Sequence, residues 1–287
     1  MNVLSLFDGM SCGQIALNRA GIKYDKYFAS EIKKHAIKVT MTNYPNTIQL
    51  GDVRYIKGNH LPKIDLLIGG SPCQDFSRIK VNEDRSGLNG KKSVLFWEYY
   101  RLLKDVKPRY FLLENVKMRK EQKEQLDALM GVKGININYN LVSFQNRDRF
   151  YWTNIPNITI PKDNNLSFQD FKERNPDVLK KYKVNKTPSR ILMWEKQCPN
   201  VTFRDKINCL TCKQDRRNNS GLVEFDGFCR YLTRGECEMA QNVPVGYTSG
   251  VPIGQAYDLL GDGWTVDVIA HIFKGIQKEA MDGLSQN

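Results

Sequence analysis

Three short segments hold side chains whose types could do chemistry. GGSPCQDFS places Cys73 in a loop punctuated by glycines and Pro72, directly after the apolar run DLLI. A thiol has a pKa of about 8.5 and becomes nucleophilic only where positive potential or a helix N-terminus lowers it; otherwise a cysteine serves as a small buried apolar group. LLENV ends another apolar run on Glu114, a carboxyl that either accepts backbone amides or serves a site. QNRDRFYWT puts Arg147 and Arg149 on one side if the chain is extended there. Two guanidinium groups so placed bind an anionic or carbonyl-rich substrate, or else line a solvated edge strand.

A second group of residues reads as a ligand cradle. In LFDGMSCG an apolar run ends at Phe7, and Asp8, Gly9 and Gly13 permit a tight turn above a helix N-terminus. This is not the phosphate-binding pattern G-x-G-x-x-G, and an acid inside the turn repels a pyrophosphate. Glu31 follows Gly13 by 18 residues, where doubly wound folds place an acid on ribose hydroxyls. Asp52 in QLGDV could accept from an adenine amine. A nucleoside without phosphates suits all three acids, although each alone is also an ordinary helix cap or turn residue.

These residues need a scaffold, and the first half of the chain supplies one. Apolar runs at 3–7, 24–30, 65–69, 110–114, 138–143 and 150–153 read as strands. Segments of helical period lie near 13–20, 32–44, 93–106 and 120–130. The alternation predicts an α/β fold, a doubly wound and mostly parallel sheet that binds ligands beyond the carboxyl ends of its strands. From 156 to 227 the alternation gives way to a polar stretch rich in Asn and Lys, expected to form a smaller inserted domain. The flanking segments 1–155 and 228–287 would form one discontinuous domain. The chain ends in a helical pattern with Val266, Ile269, Ala270, Phe273 and Ile276 on one face.

Composition narrows the function classes. With 287 residues, 41% hydrophobic and 26% charged, the chain is neither disordered, collagenous nor membrane-embedded. The start lacks the basic n-region of a signal peptide, and the seven cysteines are odd in number and scattered, so we expect reduced thiols and a cytoplasmic protein. Cys209-x-x-Cys212 has no second pair to complete a zinc site, and no metal is expected. The formal charge is +12, and between Lys172 and Arg217 thirteen Lys or Arg face five Asp or Glu, which concentrates +8 there. That local surplus points to nucleic acid, with a solvated basic face as the plain alternative.

Taken together, FDGMSCG, GGSPCQ, ENV, QNRDRFYWT and CRYLTRGECEMAQNVP stand in the order and spacing of the cytosine carbon-5 DNA methyltransferases. The chain resembles this family over nearly its whole length outside 156–227. It looks most like compact phage or bacterial enzymes akin to the catalytic domain of the de novo DNA methyltransferases. The resemblance implies the Rossmann-like methyltransferase fold that binds S-adenosylmethionine, and a target recognition domain at 156–227. It implies that Phe7, Asp8, Gly9, Ser11 and Cys12 hold that cofactor, with Glu31 on the ribose and Asp52 and Val53 at the adenine. Gly70, Pro72, Asp262 and Trp264 complete the implied cofactor set.

Cys73 matches the family nucleophile, Glu114 the acid at ring nitrogen 3, and Arg149, supported by Arg147, the QxRxR motif that holds the base carbonyl. Residues 74–92 match the loop that closes over a flipped base. Arg230, Thr233, Glu236 and Gln241 match a motif that organises the recognition domain. Asp262 departs from the family's usual Asn, adding a charge and losing a donor. The implied partner is double-stranded DNA, with no membrane, in a monomer or possible homo-oligomer. A catalytically silent DNA-binding relative and a transfer-RNA cytosine methyltransferase are the alternatives.

Overall fold

The computed structural model describes residues 1–71 and 94–284, with side chains through 279. Pro72, Cys73 and the segment 74–92 therefore lie outside the described residues. Two compact units emerge: residues 1–137, 148–160 and 269–287 form the first, and 138–147 with 161–268 form the second.

The first unit is built on a seven-stranded sheet in the order β3-β2-β1-β4-β5-β7-β6. Its strands are β1 (Asn2–Leu6), β2 (Lys26–Ser30), β3 (Ile48–Gln49), β4 (Leu66–Gly70), β5 (Tyr110–Val116), β6 (Ile135–Asn138) and β7 (Asp148–Thr153). Strands β3 through β5 run parallel in that order, and β7 returns antiparallel against β5. Because β1 and β4 are neighbours while β2 and β5 lead away on opposite sides, the strand order reverses between β1 and β4. That reversal opens a crevice at their carboxyl ends.

Helices α1 (Cys12–Arg19), α2 (Lys34–Asn43), α3 (Val94–Val106) and α4 (Lys120–Met130) connect the strands. The buried core joins Leu4, Leu6 and Leu67 of the sheet to Phe96, Tyr99 and Leu102 of α3 and Leu126 of α4. Gly13 lets α1 lie unusually close to the sheet, since a Cβ there would come within 2.6 Å of both Ile68 Cδ1 and the Tyr27 hydroxyl. The doubly wound sheet matches the sequence expectation. The strand expected at 138–143 is instead β6, ending at Asn138, whose side chain accepts from Asn140 N at 3.0 Å and turns the chain. The two-residue β3 carries no apolar run and escapes periodicity.

The second unit contains short helices α5 (Phe168–Phe171), α6 (Pro176–Leu179) and α7 (Pro188–Leu192), and a hairpin of β8 (Val223–Phe225) and β9 (Phe228–Arg230). It continues through α8 (Arg234–Ala240), α9 (Ile253–Asp262) and the first residues of α10 (Val266–Leu284). One small core gathers Val184, Met193, Cys198, Leu222 and Cys229. This unit is larger than the insertion expected at 156–227. Glu236 binds both Arg230 and the backbone of Glu173, which ties the later residues to the insertion.

Candidate functional site

Strand register sets the first row of the site. Leu6 pairs with Ser30 on one side and Gly69 on the other, and Gly70 pairs with Glu114. The next residues upward, Phe7, Glu31, Gly70 and Glu114, therefore line the carboxyl edge of the sheet. The turn after β1 is wound tightly there: Phe7, Gly9 and Ser11 all take positive φ, at 57°, 60° and 65°. For Phe7 and Ser11 this conformation is strained, and strain of this kind gathers at functional sites.

Glu31 braces the turn. Its Oε2 accepts from Gly9 N at 2.8 Å, while Oε1 accepts from Ile32 N and Lys33 N at 2.7 and 2.8 Å. Oε2 thus keeps capacity for one more donor. Beneath the turn, the Tyr27 hydroxyl donates to Asp8 Oδ1 at 2.8 Å, whereas Oδ2 is buried with no hydrogen-bond partner among the described residues. Burial raises the Asp8 carboxyl to about 6, against hydrogen bonds from Ser5, Tyr27 and Ser11 that lower it. Cys12 is buried at the start of α1, and Ser11 accepts from Gln14 Nε2 at 2.8 Å.

Asp52 is differently engaged. It caps the 3-10 turn Val53–Tyr55, and Arg54 donates to it from both its backbone N and its side chain, which holds the Asp52 carboxyl below its usual range. Val53 is buried beside it. Sequence reasoning missed Tyr27, whose role follows from the register of β2 against β1, and Ile32. Ile32 is 68% exposed immediately after Glu31. An apolar residue following a strand-end acid was the available signal.

Glu114 and Arg149 form the second part of the site. Arg149 Nε lies 2.9 Å from Glu114 Oε1, and both side chains are largely buried. The pair is a product of antiparallel pairing, since Arg149 sits opposite Val116, one step diagonal from Glu114. Next to Glu114, Asn115 Nδ2 donates to Ser71 Oγ at 3.1 Å, which fastens β5 to the last described residue before Pro72.

Arg147 does not join Arg149. Strand β7 begins at Asp148, so the two-residue period does not extend back to 147. The Arg147 guanidinium is buried in the second unit, donating to the carbonyls of Leu210, Gly261 and Gly263 at 2.8, 3.0 and 3.2 Å. Gln241 Nε2 donates to Leu260 and Gly263 carbonyls and Thr265 Oγ1 donates to Gln241 Oε1, so the backbone on both sides of Trp264 is fixed. Cys212 Sγ meets Asp262 Oδ1 at 2.8 Å. With Asp258, one ligand-type atom from each of the three lies within 4.8 Å of the others, a grouping the Cys209-x-x-Cys212 spacing does not anticipate. Cys209 turns elsewhere, to Arg147 Nη1 at 3.3 Å.

Among the described residues, the crevice of the first unit thus offers acids without a phosphate cradle, a buried acceptor lacking a donor, and a carboxyl paired with a guanidinium. It suits a cationic, phosphate-free nucleoside beside a polar heterocycle. Among the described residues no helix is long and apolar enough to cross a membrane.

Known proteins share this fold. By fold, the chain superposes on an Entamoeba histolytica methyltransferase, EhMeth, with a TM-score of 0.77 at 17% identity over 98% of each chain. It also superposes on the Dnmt2 methyltransferase of S. pombe with a TM-score of 0.76 at 17% identity, covering 98% and 99%. By sequence, it is 34% identical to the orphan methyltransferase M.SPRI of Bacillus phage SPR over 64% of this chain and 43% of that protein. The orphan methyltransferase M.Rho11sI of Bacillus phage rho11s is 42% identical over 41% of this chain and 23% of its own. The chain thus spans less than half the length of these two phage relatives. The type II methyltransferase M.FnuDI of Fusobacterium nucleatum is 26% identical over 98% of this chain and 96% of its own. Residues 1–208 match the C-5 cytosine-specific DNA methylase family, and the chain belongs to that family.

Proposed function

We propose that the protein transfers a methyl group to carbon 5 of a cytosine flipped out of duplex DNA, with S-adenosylmethionine as donor. The observation that carries this reading is the Glu114–Arg149 pair, 2.9 Å apart, opposite Gly70 on the strand that leads into Pro72 and Cys73. The residues present fit the donor. The buried Asp8 Oδ2 lacks a hydrogen-bond donor among the described residues, Glu31 Oε2 can accept a ribose hydroxyl, and exposed Ile32 offers an apolar face to a nucleobase. Acids in place of a phosphate cradle favour a sulfonium nucleoside over a dinucleotide.

When bound, S-adenosylmethionine supplies an electrophilic methyl group. Cytosine carbon 5 is too poor a nucleophile to accept it unaided, so the Cys73 thiolate adds to carbon 6 and makes carbon 5 enamine-like. Glu114 hydrogen-bonds the ring nitrogen 3 edge and offsets the charge that develops there as the thiolate adds. Arg149 orients Glu114 and holds the base carbonyl oxygen. Once carbon 5 carries the methyl group, its proton passes to water, and the electron pair left behind expels the Cys73 sulfur as a thiolate and restores the aromatic ring.

The reacting carbons are hidden within a duplex, which is why the base must leave the stack. The basic stretch 156–227 would bind the phosphates as part of the target recognition domain, while Arg147, Gln241, Arg230 and Glu236 hold that unit in shape. Such an enzyme works in the cytoplasm of a bacterial or phage-infected cell.

Tritium transfer from labelled S-adenosylmethionine to DNA, with transfer RNA in parallel, tests the reading. We expect label in DNA, a covalent complex with 5-fluorocytosine DNA, and neither with Cys73→Ser. Full turnover by Cys73→Ser, or labelling of RNA alone, would overturn it.

A further inference from the structure

We propose that Phe203 is a base-stacking contact, presenting its ring to a base exposed where the bound duplex is opened. The inference rests on the DNA reading above and adds to it a residue that contacts bases through their π faces. Phe203 is 83% exposed, the most exposed large apolar side chain among the described residues. A single exposed apolar residue is ordinary by itself. What sets Phe203 apart is the backbone that displays it.

Residues 201–204 form a turn closed by Arg204 N donating to Val201 O at 3.2 Å, with Phe203 at its third position. The residues that flank Phe203 are fastened. Val201 is fully buried and its N donates to Leu222 O at 2.9 Å. Asn200 Oδ1 accepts from both N and Oγ1 of Thr202, at 2.9 and 2.6 Å, and Thr202 Oγ1 accepts from Glu224 N at 2.8 Å. Lys172 Nζ donates to Thr202 O at 2.8 Å, and Gln169 Nε2 donates to Arg204 O at 2.7 Å. Hydrogen bonds thus hold both flanks of a turn whose apical ring is left in solvent. Such a rigid display suits recognition, because little conformational entropy is lost when a partner covers the ring.

The charge around the ring identifies the partner. Lys172 Nζ stands 5.8 Å from the ring centroid, and Arg204 is the exposed next residue. The adjacent acid, Asp205, is engaged by Ser167 Oγ at 2.7 Å. An aromatic ring set among cations, within the segment that carries +8, complements a polyanion that also offers flat π faces. In duplex DNA those faces are covered until a step opens, as it does when a base is flipped. Apolar side chains enter such steps in proteins that deform DNA.

The test uses the full chain with Phe203→Ala, Phe203→Trp and, as a charge control, Arg204→Ala. Duplex binding is measured across a salt series by anisotropy, alongside S-adenosylmethionine binding and methyl transfer. We expect Phe203→Ala to weaken duplex binding by about 10-fold or more at every salt concentration, leaving the salt slope and S-adenosylmethionine binding unchanged. Arg204→Ala should instead reduce the slope. Phe203→Trp should retain affinity, and duplex should quench its added indole fluorescence beyond any change in wild type. Phe203→Ala binding within about twofold of wild type, or an unquenched Phe203→Trp, would overturn the assignment. Quenching by RNA but not by duplex would overturn it as well. Wild type that binds duplex through Phe203 yet transfers no methyl group would defeat the enzymatic reading and leave the stacking contact standing. Failure of wild type to bind duplex would defeat both.

Discussion

Asp8 shows how one side chain can set a binding profile. Its Oδ1 is held by Tyr27 and its Oδ2 is buried without a donor among the described residues, so the neutral form persists to higher pH than in an ordinary carboxyl. With the carboxyl at about 6, above its ordinary value, the ligand-free fold binds an extra proton between roughly pH 4 and 6. Its stability therefore declines as pH rises through that window. A ligand donating to the ionised acid has the opposite dependence. S-adenosylmethionine affinity should fall about tenfold per unit below pH 6 and level off above it, with the dependence abolished in Asp8→Asn; calorimetric titration from about pH 5 to 8 checks this. Asp8, Glu31 and Glu114 were legible because each follows an apolar run, and strand ends are where such sheets bind ligands. Tyr27 was not, because a partner across two strands is fixed by register. Arg147 misled for a related reason: its pairing with Arg149 required β7 to begin before Asp148.

At the level of elements, the parallel strands and their helices were readable from alternating periodicity, while the second unit was not. Its helices are four or five residues long before α8, too short to establish a period, and its order rests on polar side chains spread along the chain. The buried pair Arg230 and Glu236 is the clearest of these, with side chains 1% and 0% exposed and two contacts of 2.8 Å. Glu236 also accepts from Thr233 N and Glu173 N, linking the start of α8 to the segment between α5 and α6. Glu236→Gln should cost about 3–5 kcal/mol in urea unfolding, because it leaves the guanidinium buried and uncompensated. A joint Arg230→Met and Glu236→Leu replacement should cost less than the single change. Gly261 marks another such link, for a Cβ there would meet Cys212 N and Thr211 C at 2.2 Å.

For the whole molecule, the charge count in the sequence overstates the surface available to a polyanion. Lys206 donates to the carbonyls of Asn140, Ser143 and Leu166, and Arg190 to that of Asp215. These two cations hold the chain in shape, whereas Lys180, Lys181, Lys183 and Lys186 are exposed. Where an exposed lysine such as Lys181 meets a phosphate, its replacement by Ala should reduce the slope of log K against log salt by about 0.9. Lys206→Ala should leave that slope unchanged and lower the melting temperature. The division of the chain has a further consequence, for synthesis. The first unit is assembled from residues 1–137, 148–160 and 269–287, and within it Gly275 lies against the Pro156 carbonyl while Tyr110 donates to Glu279. A nascent chain on the ribosome can form the central strands early, yet it cannot seal that sheet until the segment beginning at 269 has emerged. The second unit, drawn from 138–147 and 161–268, has all its residues outside the exit tunnel first, so the domain begun first is the one finished last.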